Sequence, residues 1–317
     1  MLAFLLVTWS LALLHGVVAA EQQVITALDN EQDGKPPTAV YDGGFSGAQT
    51  IRLRLGNGGA GQAGLIGALA DRFIQDSVAS GNVSEPFLVS WLLGDTTDTL
   101  ENLVAGDIDI SITYAPAAEA EMLANGVAVE RKYAFRDHFL LVGPRSNPAQ
   151  LGKGDTVYKQ FSDIVKAGTN ASRSPPTRFL SRFDRSATNI KESQIFIAIG
   201  QVPWAHTHSR WYHQFPTFPR EALIAAARLE EYTLTNRDAA LSAAPDVLAA
   251  LEIYYEGGDD DPDDPMLNPA AALLGANARD KDLSLSFMEW LVAPEGGQSV
   301  VATFQRNGYI IYSPAPS

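Results

Sequence analysis

The stretch Ile51-Arg52-Leu53-Arg54-Leu55-Gly56-Asn57-Gly58-Gly59-Ala60-Gly61 decides how this chain is read. Its first half alternates apolar and charged residues, as a half-buried strand does, and its second half is a glycine-rich turn. Near Gly64 a helical spacing takes over, with Leu65, Ile66, Leu69, Phe73 and Ile74 recurring on one face. A strand that runs through glycines into a helix leaves backbone N–H groups beside the positive end of the helix dipole, and these attract anions. The spacing also fits G-x-G-x-x-G, so a dinucleotide fold and a small-anion receptor both satisfy it.

Outward from the loop, the alternation of strand and helix continues. Phe87 to Leu93 reads as a buried strand, and Thr96-Thr97-Asp98 opens a short helix carrying Leu100, Leu103 and Val104. Ile108-Asp109-Ile110-Ser111-Ile112 alternates as a strand, Ala117 to Asn125 is helical, and Phe139 to Val142 is a further strand. Such an order predicts a mainly parallel sheet with helices on both faces. Residues 144–265 are less regular and hold an aromatic-rich segment, Trp204 to Phe218, and an acidic turn, Gly257 to Pro265. Leu283 to Val292 is an amphipathic helix, another helix opens at Pro294-Glu295-Gly296-Gly297-Gln298, and Tyr309 to Tyr312 reads as a closing strand.

A chain of 317 residues with 46% hydrophobic content can bury more than one core, which suits two lobes. Its formal charge of −14 argues against a nucleic-acid partner, because phosphate contacts need clustered Lys and Arg. Without cysteine there is no disulfide framework, no thiolate nucleophile and no cysteine metal site. Residues 1–20 are largely apolar and end Val18-Ala19-Ala20, the pattern of a signal peptide cleaved near Ala20, so the chain is expected to be secreted. No later segment is long and apolar enough to span a bilayer. The sequons Asn82-Val83-Ser84 and Asn170-Ala171-Ser172 fit a secreted glycoprotein. Residues 21–48, rich in Gly, Pro, Asp and Asn, are expected to be a flexible N-terminus, with order from Gln49.

In this acidic chain Arg173, Arg178, Arg182 and Arg185 lie close together with only Asp184 opposing them. Ser186, Thr188 and Asn189 follow as potential N-cap oxygens, and Asn189-x-x-Glu192 has the form of a capped helix start. A guanidinium fork beside a helix N-terminus suits an oxyanion. The plainer reading is a surface cluster that pairs with acidic neighbours. His206-x-His208 with His213 sits among Trp204, Trp211, Tyr212, Phe215 and Phe218 and contains no acidic residue, so aromatic packing is expected there and no metal site. The Asp259 to Asp264 run lacks the spacing of a calcium loop and reads as a solvated turn.

Several segments, in this order, carry a family likeness: Leu103 to Ile110, Tyr114-Ala115-Pro116, Asp137 to Pro144, Ser181-Arg182-Phe183-Asp184-Arg185-Ser186-Ala187-Thr188, Tyr232 to Arg237, Leu267-Asn268-Pro269 and Pro294-Glu295-Gly296. Over about 49–314 the chain resembles the tungstate-binding, type II periplasmic substrate-binding proteins of ABC uptake systems. The resemblance implies an α/β, two-lobed periplasmic-binding-protein fold with mixed sheets and helices on both faces. It places lobe 1 at 49–142 plus 266–314 and lobe 2 at 143–265, with the ligand in the cleft between them. The family's site arginine falls on Arg182. The family's Thr- and Ser-rich first loop is here Gly56 to Gly59, a glycine after the arginine is here Phe183, and Asp95 and Asp98 flank Thr96, where an inward carboxylate would repel an anion.

The expected function is a secreted, non-enzymatic solute-binding protein for a small oxyanion of the tungstate or molybdate kind, or a carboxylate. Asn57, Gly58, Gly59 and Thr96 would contribute from one lobe, and Arg182, Ser186 and Thr188 from the other, with no cofactor and no metal. No motif identifies a transporter partner. Two other classes fit parts of the sequence. One is a secreted interaction scaffold that has lost its small ligand, and the other is a dinucleotide-dependent oxidoreductase using the glycine spacing and Asp95.

Overall fold

The run Ile51–Asn57 is a strand in the computed structural model, which describes residues 34–206 and 208–316. The expected signal peptide, residues 1–20, and residues 21–33 lie outside the described residues. Alternation predicts a solvent face for Arg54, but the side chain is only 5% exposed. Its Nε and Nη2 donate to the Asp109 carboxylate at 3.0 and 2.6 Å, and Asp109 is itself fully buried. The backbone N–H groups of Arg54 and Arg279 donate to the same carboxylate at 2.8 and 2.9 Å. Of the alternating charges, Arg54 and Asp109 therefore form a buried pair, whereas Arg52 stays partly exposed and bonds Asp280.

In chain order the elements are β1 (Ala39–Tyr41), β2 (Ile51–Asn57), α1 (Gly59–Ala63), α2 (Leu65–Ala79), β3 (Leu88–Leu93), α3 (Thr96–Ala105), β4 (Ile110–Thr113), α4 (Pro116–Ala124) and β5 (Ala128–Pro144). Then come α5 (Val157–Thr169), β6 (Phe179–Ser181), α6 (Ala187–Ala198), β7 (Tyr212–Gln214), α7 (Pro219–Leu229), β8 (Tyr232–Asn236), α8 (Arg237–Leu241), α9 (Pro245–Ala250) and β9 (Leu251–Glu256). The chain closes with β10 (Leu267–Gly275), α10 (Lys281–Val292), α11 (Gly297–Thr303), β11 (Gln305–Arg306), β12 (Tyr309–Ile310) and β13 (Ser313–Pro314).

The main sheet runs β1-β3-β2-β4-β10-β5-β8-β6-β7, with β9 and β13 also paired to β5. β2 is parallel to β3 and β4, and β6 is parallel to β7 and β8, as crossover helices require. β10 and β5 run antiparallel to their neighbours, so the sheet is mixed rather than mainly parallel. β5 is much longer than the expected Phe139 to Val142, because Glu130, Arg131, Lys132 and Arg136 in its first part disguise a strand. Up to His138 it pairs with β10, and from Phe139 it pairs with β8 and β9.

The apolar residues follow the same change. Leu53, Leu55, Ile66, Phe73, Phe135, Phe287 and Tyr312 share one core, whereas Phe139, Phe161, Phe179, Phe196, Tyr232 and Met266 share another. In the second core Phe161 and Phe196 meet edge to face at 4.9 Å, and Trp211 and Tyr212 of the aromatic-rich segment pack against Phe196. Order begins before Gln49, since β1 adds antiparallel to β3 and Tyr41 lies over Gly67 of α2. At the other end Tyr309 to Tyr312 does not form one strand. Residues 309–310 pair back on β11, Ile311 and Tyr312 enter the first core, and β13 joins β5.

Candidate functional site

The glycine loop is built around Asn57. Its Nδ2 donates to Ile112 O at 2.8 Å and its Oδ1 accepts from Gly61 N at 2.8 Å, so the side chain braces the turn from inside. A Cβ on Gly61 would sit 2.2 Å from the Trp91 indole, whose Nε1 donates to Asn57 O at 2.9 Å. The last glycine of the G-x-G-x-x-G spacing thus makes room for an indole. Gly59 faces β8, where a Cβ would lie 3.4 Å from Asn236 Nδ2.

Two longer helices begin beside this loop. Asp95 caps α3 by accepting from Asp98 N at 2.8 Å, and Thr96 at the first position is buried. α6 starts at Ser186 rather than Asn189: Ser186 Oγ accepts from Asn189 N at 3.3 Å and donates to Asp184 at 2.5 Å. Asn189 instead donates to Glu192 at 2.9 Å. Between these elements lies Arg182, only 4% exposed. It donates through Nε to Thr217 O at 2.9 Å, through Nη1 to Thr188 Oγ1 at 3.2 Å and through Nη2 to Asp184 at 2.6 Å. A guanidinium has five N–H donors, so two remain after these bonds.

Gly58, Gly59, Thr96, Arg182, Ser186 and Thr188 line one cavity of about 40 Å³. Asn57 lies behind it, fully buried and engaged with Ile112 and Gly61. The lining comes from the glycine loop and the start of α3 together with Arg182 and the start of α6. Reading the sequence missed Asp137, Asn236 and Asn268, which also line the cavity. Asn268 interrupts the apolar run of β10 and so gave a local signal, whereas Asp137 follows the charged first part of β5 and Asn236 ends a strand that also carries Thr233 and Thr235.

The electrostatics are mixed. Burial pulls the Arg182 pKa below its ordinary value, and the adjacent Asp184 partly offsets that. Burial pushes Asp137 up to about 6, against hydrogen bonds from His138, Asn268 and Asn236. Asp238 is raised well above the usual carboxylate range by burial and by the charge of Asp137. Asp95 also lines the cavity and is raised, first by burial. The site therefore joins helix-start donors and a guanidinium to several carboxyl groups.

The remaining expected groups separate. Arg185 is exposed and pairs with Asp98 and Glu101 of α3, while Thr97 Oγ1 donates to Arg185 O at 3.2 Å. Arg178 lines a second, open cavity of about 490 Å³ with His206, His208 and His213, where His213 bonds Glu231 at 2.8 Å. Among the described residues no three His, Cys, Asp or Glu side chains are grouped as a metal site. In the acidic turn Asp264 accepts from Gly258 N and Met266 N at 2.9 and 2.7 Å, and Asp259 bonds His138 Nε2 at 2.7 Å. The turn is thus tied to the fold at both ends.

Residues 68–295 match the family described as PBP superfamily domain. A solved structure described as a periplasmic metal-binding protein is 46% identical, with a TM-score of 0.82 over 88% of this chain and 99% of that one. An ABC transporter anion-binding protein of Haloferax volcanii is 27% identical over 223 residues, 69% of this chain and 61% of its own. Tungstate-binding protein TupA of Peptoclostridium acidaminophilum is 26% identical over 208 residues, 64% of this chain and 66% of its own. The matched part thus spans somewhat under two thirds of the length of these two relatives. Family match, mixed two-lobed sheet and a cavity between helix starts lead to one statement: the chain belongs to the PBP superfamily, in the type II group of periplasmic binding proteins that includes the tungstate binders.

Proposed function

We propose that this chain is an exported solute-binding protein that holds a small oxyanion or carboxylate between its two lobes. The observation that carries the reading is the convergence of Gly58, Gly59 and Thr96 with Arg182, Ser186 and Thr188 on one cavity. N–H groups at the starts of α3 and α6 supply directed donors, and Arg182 supplies a buried positive charge. Asn236 adds an independent sign of a ligand: it lines the cavity, is 7% exposed, and its Oδ1 has no partner.

The lobes are taken as 49–142 with 266–314, and 143–265, closing about the point where β5 exchanges β10 for β8 and β9. The relatives' names describe binding proteins rather than enzymes, and a cavity of about 40 Å³ suits capture of a small ion better than turnover. Export follows from residues 1–20 as a signal peptide, and both sequon asparagines, Asn82 and Asn170, are exposed to modification. Delivery to an ABC-type transporter is the role that suits such a protein.

Calorimetry and thermal shift with tungstate, molybdate, sulfate, phosphate and acetate test the reading. A bound anion at about 100 times its Kd raises stability by about 2.7 kcal/mol. Arg182→Ala should weaken binding by about 1.5–3 kcal/mol, the worth of a hydrogen bond to a charged group. Unchanged affinity removes Arg182 from the site, and silence toward all five anions rejects the anion-binding reading.

A further inference from the structure

The open cavity of about 490 Å³ shares no lining residue with the one around Arg182, and its volume falls within the about 300–1,000 Å³ usual for small-molecule sites. It lies at the opposite end of the same strands. Arg178 stands just before β6 and Glu231 just before β8, whereas the far ends of these two strands lead to Arg182 and Asn236 in the first cavity.

The lining reverses the charge balance of the chain. The sequence carries 37 Asp and Glu against 23 Lys and Arg, yet here Arg178, Arg210, His206, His208 and His213 surround a single carboxyl group, Glu231. That group is 1% exposed and already engaged, with His213 Nδ1 at 2.8 Å from one oxygen and Arg178 Nη1 at 3.8 Å from the other. Arg210, His206 and His208 are exposed, and Arg210 forms no ion pair with a described residue. The backbone beneath these side chains is held by Ser209, whose Oγ accepts from Tyr212 N at 2.9 Å and from Trp211 N at 3.3 Å. Its own O–H is left to donate, and Ser209 also lines the cavity.

Each guanidinium offers a fork that fits one carboxylate or phosphate group, and each imidazole adds an N–H donor. A ligand that meets both forks at once therefore carries more than one anionic group, which a single small oxyanion does not. From this lining we propose that the chain has a second ligand site, before the starts of β6 and β8, for a free polyvalent anion with two or more carboxylate or phosphate groups. Arg178 and Arg210 read its charge. Arg182 takes no part, so the site is independent of the anion-binding reading above.

The full chain is titrated calorimetrically with citrate, tripolyphosphate, hexaglutamate and zinc chloride at matched ionic strength. Citrate or tripolyphosphate should bind, and the affinity should fall about tenfold when Arg178→Ala is combined with Arg210→Ala, since each lost charged hydrogen bond is worth about 1.5–3 kcal/mol less whatever solvent returns. Arg182→Ala should leave this binding unchanged. On the native chain either anion should also slow modification of His206, His208 and His213 by diethyl pyrocarbonate, read by mass spectrometry, whereas acetate at the same ionic strength should not. The proposal is overturned if neither anion binds, if only hexaglutamate or zinc does, if acetate protects the three histidines equally, or if binding is lost in Arg182→Ala and kept in the double variant. The histidine footprint decides the matter even if a variant does not fold.

Discussion

Glu192 is fully buried and read in sequence only as the end of a capping pattern. Its Oε1 receives Ser181 Oγ, Asn189 Nδ2 at 2.9 Å and Tyr212 OH at 3.2 Å, while Oε2 is buried without a partner. Burial pushes its pKa from 4.5 up to about 8, with these hydrogen bonds pulling the other way. The native state thus keeps a proton that the unfolded chain releases at lower pH. This contribution to stability is complete below about pH 4.5 and is lost as pH rises through about 8. Glu192→Gln keeps the shape without the titration. Chemical denaturation should show the variant gaining on the native chain as pH is raised across that window, by an amount on the order of a few kcal/mol. A difference that stays constant with pH would refute a protonated Glu192.

Among the elements, the strand pair β2 and β4 depends on Arg54 and Asp109. Removing one partner of a buried ion pair leaves the other charge uncompensated, so Asp109→Ala should cost about 3–5 kcal/mol in urea unfolding. The turn into α1 depends on an absent side chain. In Gly61→Ala the new methyl meets the Trp91 ring 2.2 Å away, and overpacking of this kind typically costs about 1–3 kcal/mol. Retention of native stability would show that Trp91 can move aside. Elements with a strong local pattern, α2, α3, β3 and α10, were legible because their apolar periodicity coincides with the buried face. β5 was legible only in its last part, since its charged first part is held by pairing with β10 across the molecule.

At the scale of the whole molecule, contacts join elements far apart in the chain. Arg185 reaches Asp98 and Glu101 on α3, and Asn307 Nδ2 donates to Leu241 O at 2.9 Å. Exposed ion pairs contribute little to stability but can slow the opening of a closed form. Arg185→Ala should leave unfolding nearly unchanged and speed ligand release a few-fold in stopped-flow measurements at low salt. The difference should fade near 1 M salt, where charges are screened beyond about 3 Å. Equal release rates at low salt would leave Arg185 without a role in closure.

Local chemistry in the sequence determined the βα order, the glycine turn and the start of α3, because caps, turns and periodicity act over a few residues, whereas Arg182 was singled out among four arginines by the family resemblance. Only the tertiary structure decided that Asn57 braces the loop from behind and that Ser186 is the cap. It also decided that Asp137, Asn236 and Asn268, drawn from three separate strands, share one cavity with the arginine. The physical reason is distance along the chain: a local pattern reports which side chains can donate or accept, whereas strand crossings set which of them are desolvated together.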